Sequence, residues 1–160
     1  MKAFHLFLVI ATMFVMEGAV TLVHKYVMHG FGWGWHRSHH ASRRQAGWEK
    51  NDLYAIVFAA ATIGLFALGD IHAPLWWIAL GVTLYGLVYG LMHDVLIHKR
   101  LPHRWRPKNR YLKRLVTAHY LHHATKTREG GISFGFLYAP PVDELREALR
   151  GNKAGRGGGT

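Results

Sequence analysis

Three apolar stretches dominate this chain and leave few folds open to it. Residues 3–23 read AFHLFLVIATMFVMEGAVTLV, residues 53–69 LYAIVFAAATIGLFALG, and residues 74–92 PLWWIALGVTLYGLVYGLM. Each comes close to the roughly 20 residues that a helix needs to cross a bilayer. Inside hydrocarbon, a helix lets one short segment satisfy all its own backbone polar groups. The sequence therefore predicts an all-α membrane protein with about three transmembrane helices. Residues 70–73, DIHA, form a tight turn between the second and third, with Asp70 as a cap and Pro74 at the first helical position. Asn51 or Asp52 can cap the start of the second helix. The first stretch has only Lys2 before it, is long for a signal peptide and carries Glu17 near its end. It reads as a retained membrane helix.

On a soluble protein the net charge of +11 would point to nucleic acid. Its placement points elsewhere. The loop 24–50 holds five basic residues, Lys25, Arg37, Arg43, Arg44 and Lys50, and the chain after residue 92 holds fourteen. The 70–73 turn holds none, and the N-terminus holds only Lys2. With three spans, both basic segments fall on one side, which the positive-inside rule makes cytoplasmic. Topology accounts for the charge, and no nucleic-acid partner is expected. The chain has 160 residues, enough for one domain. Residues 1–150 read as a single membrane-embedded unit, and 151–160, GNKAGRGGGT, as a disordered glycine-rich tail.

Ten of the 13 histidines fall into two copies of one pattern. HKYVMH (His24, His29) ends the first span and is followed by HRSHH (His36, His39, His40). HDVLIH (His93, His98) ends the third span and is followed by HYLHH (His119, His122, His123). Apolarity alone defines the spans, yet all four motifs lie on the same side of the membrane. On an α-helix, offsets of three and four share a face, so each H-x-x-H-H aims three imidazoles one way. Leu112, Leu115 and Val116 extend the face that starts at His119, so this triplet should point inward. The five-residue offset of H-x₄-H separates its side chains by about 140° on an α-helix. Such a pair can serve one site only if the helix ends or unwinds between them, or if they reach separate metals. Gly30 is well placed as a helix stop.

There is no cysteine. That excludes disulfides, iron–sulfur clusters, thiolate-bound haem and cysteine-type zinc sites. Neutral imidazole binds zinc, copper, iron and nickel. One structural zinc takes four ligands, so ten convergent histidines suit two metals. Repeated Glu-x-x-His, the signature of carboxylate di-iron bundles, is absent, and so is H-E-x-x-H. The expected architecture is a helical cap on the cytoplasmic side holding a histidine-rich dimetal site, with all ten motif histidines as ligands. Glu17, Asp94 and His103 are candidates to hydrogen-bond those ligands from behind. For Glu17 the alternative is a carboxyl packed between helices, for Asp94 a helix-end role, and for His103 a surface position. His5 and His72 belong to the opposite membrane surface.

These motifs resemble those of the bacterial β-carotene 3-hydroxylases, within the fatty-acid hydroxylase/sterol desaturase superfamily. The likeness extends through HKYVMHGFGWGWHRSHH (24–40), NDLYAIVFAA (51–60), YGLVYGLMHD (85–94), YLKRL (111–115) and EGGISFGFLYAPP (129–141). It implies two non-haem iron ions, O2 as cosubstrate, and hydroxylation of β-ionone rings at C3. The substrates would be β-carotene and related carotenoids, dissolved in the membrane lipid of a bacterial inner membrane. No nucleotide-binding G-x-G-x-x-G is present. Electrons must then come from an external donor, and the resemblance implies ferredoxin with its reductase. The basic surface suits an acidic carrier.

Tyr85 and Tyr89 share a helix face and can line a substrate channel or simply pack. Trp33 and Trp35 can wall its entry or anchor the interface. The apolar ISFGFLYAPP reads as a membrane-surface or substrate-covering segment. Other readings remain open at this level. One is another lipid hydroxylase, ketolase or desaturase of the same superfamily. Another is a non-enzymatic membrane haem protein or metal-handling protein.

Overall fold

A computed structural model describes residues 2–41 and 47–157. Residues 42–46, with Arg43 and Arg44 of the basic loop, lie outside the described residues, as do 158–160. Six α-helices carry the fold: α1 (Lys2–Leu22), α2 (Trp33–Ala41), α3 (Asp52–Gly69), α4 (Ala73–Gly90), α5 (Arg110–His122) and α6 (Val142–Gly157). There is no strand among the described residues. Both α1 and α4 continue without a break into π-helix, over Val23–Phe31 and Leu91–Ile97 respectively. Three helices are long and apolar enough to cross a membrane: Lys2–Phe31, Asp52–Gly69 and Ala73–Ile97.

α4 packs against both α1 and α3. Two glycines set these approaches. A Cβ at Gly81 would lie 2.8 Å from the Val9 carbonyl oxygen and 2.7 Å from Thr12 on α1. At Gly69 it would lie 2.8 Å from the Trp76 backbone, across the α3–α4 turn. Small residues let membrane helices approach through their backbones, where lipid offers no hydrophobic drive to associate. The remaining span surface shows large apolar side chains outward, among them Phe7, Phe14, Ile63 and Leu87. Such a surface suits contact with lipid.

The turn between α3 and α4 has Pro74 in the first turn of α4, as its sequence predicts. Asp70 is the C-terminal cap of α3. At the start of α3, neither Asn51 nor Asp52 caps. Asn51 has helical backbone angles and no capping hydrogen bond. Its side chain serves His36 instead, while Asp52 accepts from Glu49 N–H and forms a fork with Arg100. Stronger tertiary partners took both side chains.

Beyond the spans, α5 and α6 make the cap. Asn109 caps α5 by accepting from Leu112 N–H at 2.8 Å. Leu115 and Ala118 of α5, Leu145 and Leu149 of α6, and Ile132 and Ala139 between them form its core. Asp143 and Glu144 occupy the first turn of α6, where carboxylates favour the helix dipole. That helix runs to Gly157, into the segment whose glycine content predicts disorder.

Candidate metal centre

All ten motif histidines are buried and lie together where the span ends meet the cap. The π-helices solve the problem that the H-x₄-H spacing poses. A π-helix bonds residue i to i+5, so side chains five apart stack on one face. His98 N–H bonds the His93 carbonyl at 2.9 Å, and the two rings lie 4.5 Å apart. His24 and His29 sit 5.3 Å apart, ring to ring, within the other π segment. The helix neither ends nor unwinds between the histidines; it widens. Gly30, with φ −105° and ψ −125°, bends the chain just after the pair.

The histidines sort into two groups, each with ligand atoms within 4.8 Å of one another. One holds His24, His29, His36, His40 and His122; the other holds His39, His98, His119 and His123. His93 stands beside the second group, its Nε2 2.9 Å from that of His39. The triplets do not map onto the groups. His36 and His40, four apart, stay together while His39 crosses to the second group. His119 and His123 stay together while His122 crosses to the first.

The rings' outer nitrogens fix what the inner ones can do. In the first group every Nδ1 has an oxygen partner. His24 donates to the Phe134 carbonyl (2.9 Å), His29 to Arg128 (2.9 Å), His40 to Thr125 (2.8 Å) and His122 to Ile132 (2.7 Å). His36 donates to Asn51 Oδ1 at 2.7 Å. In the second group His39 donates to Glu49, and beside it His93 donates to Asp94, both at 2.8 Å. Oxygen acceptors at Nδ1 place the proton there and leave a lone pair on Nε2. Those Nε2 atoms face one another: His24–His36 and His36–His40 at 3.1 Å, His29–His122 at 3.2 Å, His39–His93 at 2.9 Å. Lone pairs held head to head repel unless a cation lies between them. Separations near 3 Å are also the edges of a coordination shell with metal–nitrogen bonds of about 2.1 Å. The donor set therefore fits metal. It is wholly imidazole, with no carboxylate in either group.

Burial holds the imidazoles outside the spans neutral. It is the largest cause at His36, His39, His40, His98, His119, His122 and His123, and neighbouring rings add to it. His36, His39, His119, His122 and His123 are held far below the ordinary imidazole range. His40 is pushed down to about 4 and His98 to about 3. The neutral ring is the form that binds metal. Burial pushes Glu49 up to about 7, opposed by the nearby Arg100 guanidinium. Arg100 in turn is pushed up by its hydrogen bonds to Asp52.

The remaining expectations divide. Asp94 sits behind His93, as described. Glu17 touches no histidine; it accepts from Tyr85 and from the backbone of residues 136–138. An oxygen flanked by three backbone N–H groups has no need of an imidazole. His103 donates through Nε2 to the Val95 carbonyl at 2.7 Å, away from both groups. His5 stacks on Trp77 at 4.4 Å, and His72 is exposed at the far end of the spans. Trp33 lies against His29 and His40, at 5.1 and 5.3 Å between rings. Asn51, Glu49 and the carbonyls of residues 125–134 escape sequence reasoning. A carboxylate in a basic loop is a faint signal for Glu49, and backbone carbonyls give none.

An apolar cavity of about 420 Å³ lies between α1, α3 and α4. Phe58, Thr62 and Phe66 line it along α3 and Tyr85 and Tyr89 along α4, and it reaches His93 and Asp94. On the other side, the rings of Phe134 and Phe136 lie across the histidines. Phe134 is 5.2 to 5.4 Å from His24, His29 and His122, and Phe136 is 5.3 to 5.6 Å from His24, His93 and His119.

Fold and site together define a class: an all-helical membrane protein with two histidine clusters arranged to hold metal beside an apolar cavity. The chain belongs to the fatty acid hydroxylase family, a class of oxidoreductases, whose family model matches residues 9–146. It is 53% identical over 145 residues to the beta-carotene hydroxylase of Paracoccus sp. (strain N81106 / MBIC 01143), covering 89% of each chain. It is 52% identical over 152 residues to the beta-carotene hydroxylase of Pantoea ananas, covering 94% of this chain and 86% of the relative. Beta-carotene 3-hydroxylase 2, chloroplastic, of Arabidopsis thaliana is 35% identical over 136 residues, 81% of this chain but 44% of the plant protein. No solved structure matches the chain.

Proposed function

We propose that this chain is a β-carotene 3-hydroxylase. It hydroxylates the β-ionone rings of β-carotene at C3, through β-cryptoxanthin to zeaxanthin, using O2 at two histidine-held non-haem iron ions. The observation that carries this reading is the apolar cavity that ends at His93, beside the histidine clusters. Bacterial relatives named beta-carotene hydroxylase, about half identical over most of both chains, support the substrate.

Bound iron supplies the activation of O2, since an unactivated ring C–H offers side-chain acids and bases nothing to work on. The chain's own residues do the rest. The ten motif histidines hold the ions through ring nitrogens, and Nδ1 partners fix the orientation of seven of them. The cavity between α1, α3 and α4 takes one ring while the polyene stays in lipid. Phe134 and Phe136 keep water from the histidines. Each turnover replaces one C–H bond by C–O–H. The second oxygen atom leaves as water, which requires two electrons and two protons from outside. A ferredoxin with its reductase supplies the electrons, and exposed Arg104, Arg106, Lys108, Arg110 and Lys113 suit its acidic surface. Residues 1–150 act as one hydroxylase domain in a bacterial inner membrane, with the metal site on the cytoplasmic side.

Expression in a host that makes β-carotene, followed by pigment analysis, tests the reading. Zeaxanthin is expected with the intact chain and not with His122→Ala. Unchanged β-carotene, or keto or further desaturated products in place of zeaxanthin, would overturn it.

A further inference from the structure

Glu17 lies in α1, seven residues before His24, at a depth where a carboxylate is costly. Its oxygens are nonetheless fully occupied. Oε1 accepts the backbone N–H groups of Phe136 and Leu137 at 2.9 Å and of Tyr138 at 3.1 Å. Oε2 accepts the Tyr85 hydroxyl at 2.7 Å. Successive backbone N–H groups converging on one oxygen form an anion-binding nest. This nest belongs to a strap about 120 residues away in sequence.

Both partners of the carboxylate lead to the site. The strap presents the Phe134 carbonyl to His24 Nδ1 and lays the Phe136 ring against His24, His93 and His119. Phe136 also packs at 4.3 Å on Tyr89, which with Tyr85 and His93 lines the cavity. Gly135 leaves the room this contact needs. A Cβ there would lie 2.9 Å from both Glu17 Oε1 and the Tyr138 carbonyl oxygen. A carboxyl that merely filled space between helices would need neither the converging N–H groups nor the glycine.

We infer that Glu17 is a positioning residue that latches the strap of residues 134–138 onto the histidine clusters. Through the Phe134 carbonyl it sets the orientation of His24. Through Tyr85 and Phe136 it ties the inner wall of the cavity to the strap. Its consequence for turnover rests on the hydroxylase reading above; the latch itself does not.

Hydrogen exchange of the purified, metal-loaded protein in detergent, read by mass spectrometry, tests the latch directly. Amides 136–138 should exchange slowly in the wild type and at least tenfold faster in Glu17→Ala. Glu17→Gln, which keeps one acceptor oxygen, should fall between. Gly135→Ala reaches the same contact from the strap side and should give the same signature, which covers the case of Glu17→Ala failing to insert. In carotene-producing cells, both alanine variants should lose about 10- to 100-fold in hydroxylation rate. His5→Ala, with equal membrane levels, should lose none. Wild-type exchange at 136–138 in inserted Glu17→Ala and Gly135→Ala would overturn the latch, and fast exchange with undiminished turnover would overturn the positioning role of Glu17. Fast exchange in the variants of a protein whose wild type makes no zeaxanthin would leave the latch standing and defeat the hydroxylase reading.

Discussion

His29 and His122 face each other Nε2 to Nε2 at 3.2 Å, although 93 residues separate them. His122 belongs by sequence to the triplet whose other members, His119 and His123, serve the second group. The crossing makes each group depend on both halves of the chain. His39→Ala and His122→Ala should therefore each weaken the group opposite its own triplet. Metal analysis of the purified variants should show roughly one ion or fewer per chain where the wild type holds roughly two. Wild-type metal content in either variant would refute the grouping.

Asn51 holds His36 at 2.7 Å, in a position the sequence offers as a helix cap. Because it does not cap, Asn51→Ala should leave helix content nearly unchanged. It should lower metal affinity about 10- to 100-fold, the usual effect of losing an outer partner. Competition with a chelator measures this. A large fall in melting temperature of the metal-free protein, with unchanged affinity, would restore the capping role.

Removing the metal should loosen the cap. The facing lone pairs of His24, His36, His29 and His122 repel when nothing lies between them. A ligand that binds only the folded form at 100 times its Kd adds about 2.7 kcal/mol of stability. Chelation should lower the melting temperature in detergent, and added Fe(II) should restore it. Equal melting temperatures with and without metal would contradict this coupling.

Gly81 and Gly86 lie on the same helix in different surroundings. A Cβ at Gly81 meets Val9 and Thr12 of α1, whereas one at Gly86 meets nothing within 4 Å. Gly81→Ala should cost about 1–3 kcal/mol through overpacking. Gly86→Ala should be neutral or slightly stabilising. Denaturation of the two variants side by side checks this; equal stability would show that α1 and α4 do not meet as described.

The orientation of the spans can be read by labelling, because the native chain has no cysteine to interfere. A thiol-reactive probe that cannot cross the membrane should reach His72→Cys from the outside of intact cells. It should reach Lys108→Cys only after the cells are opened. The reverse pattern, or both labelled together, would defeat a cytoplasmic metal site.

Much of this protein is legible in its residues. Span number follows from run length and apolarity, properties each segment carries alone. The histidine motifs follow from residue type and spacing. The triplets read as two clusters of three, yet each is split between metal groups. An α-helix puts the residues three and four further on at about 60° to one side and about 40° to the other of the first, so a neighbouring site can claim one of the three. On an α-helix the H-x₄-H pairs point about 140° apart. The π-helix that aligns them shows only when the backbone is seen.

The sequence by itself determined that this chain enters a membrane, and that ten neutral-capable imidazoles lie at one end of its spans. Apolarity and side-chain chemistry are local, so they need no partner to be read. Only the tertiary structure decided which imidazole faces which, and what stands behind each one. Four of the five outer partners of the first group are backbone carbonyls, at Thr125, Arg128, Ile132 and Phe134. Every residue has such a carbonyl, so nothing in the amino-acid alphabet marks those four. Glu17 shows the same limit from the other side. Its cost in the membrane marked it as special, but its partners are backbone N–H groups that only the folded strap brings within reach.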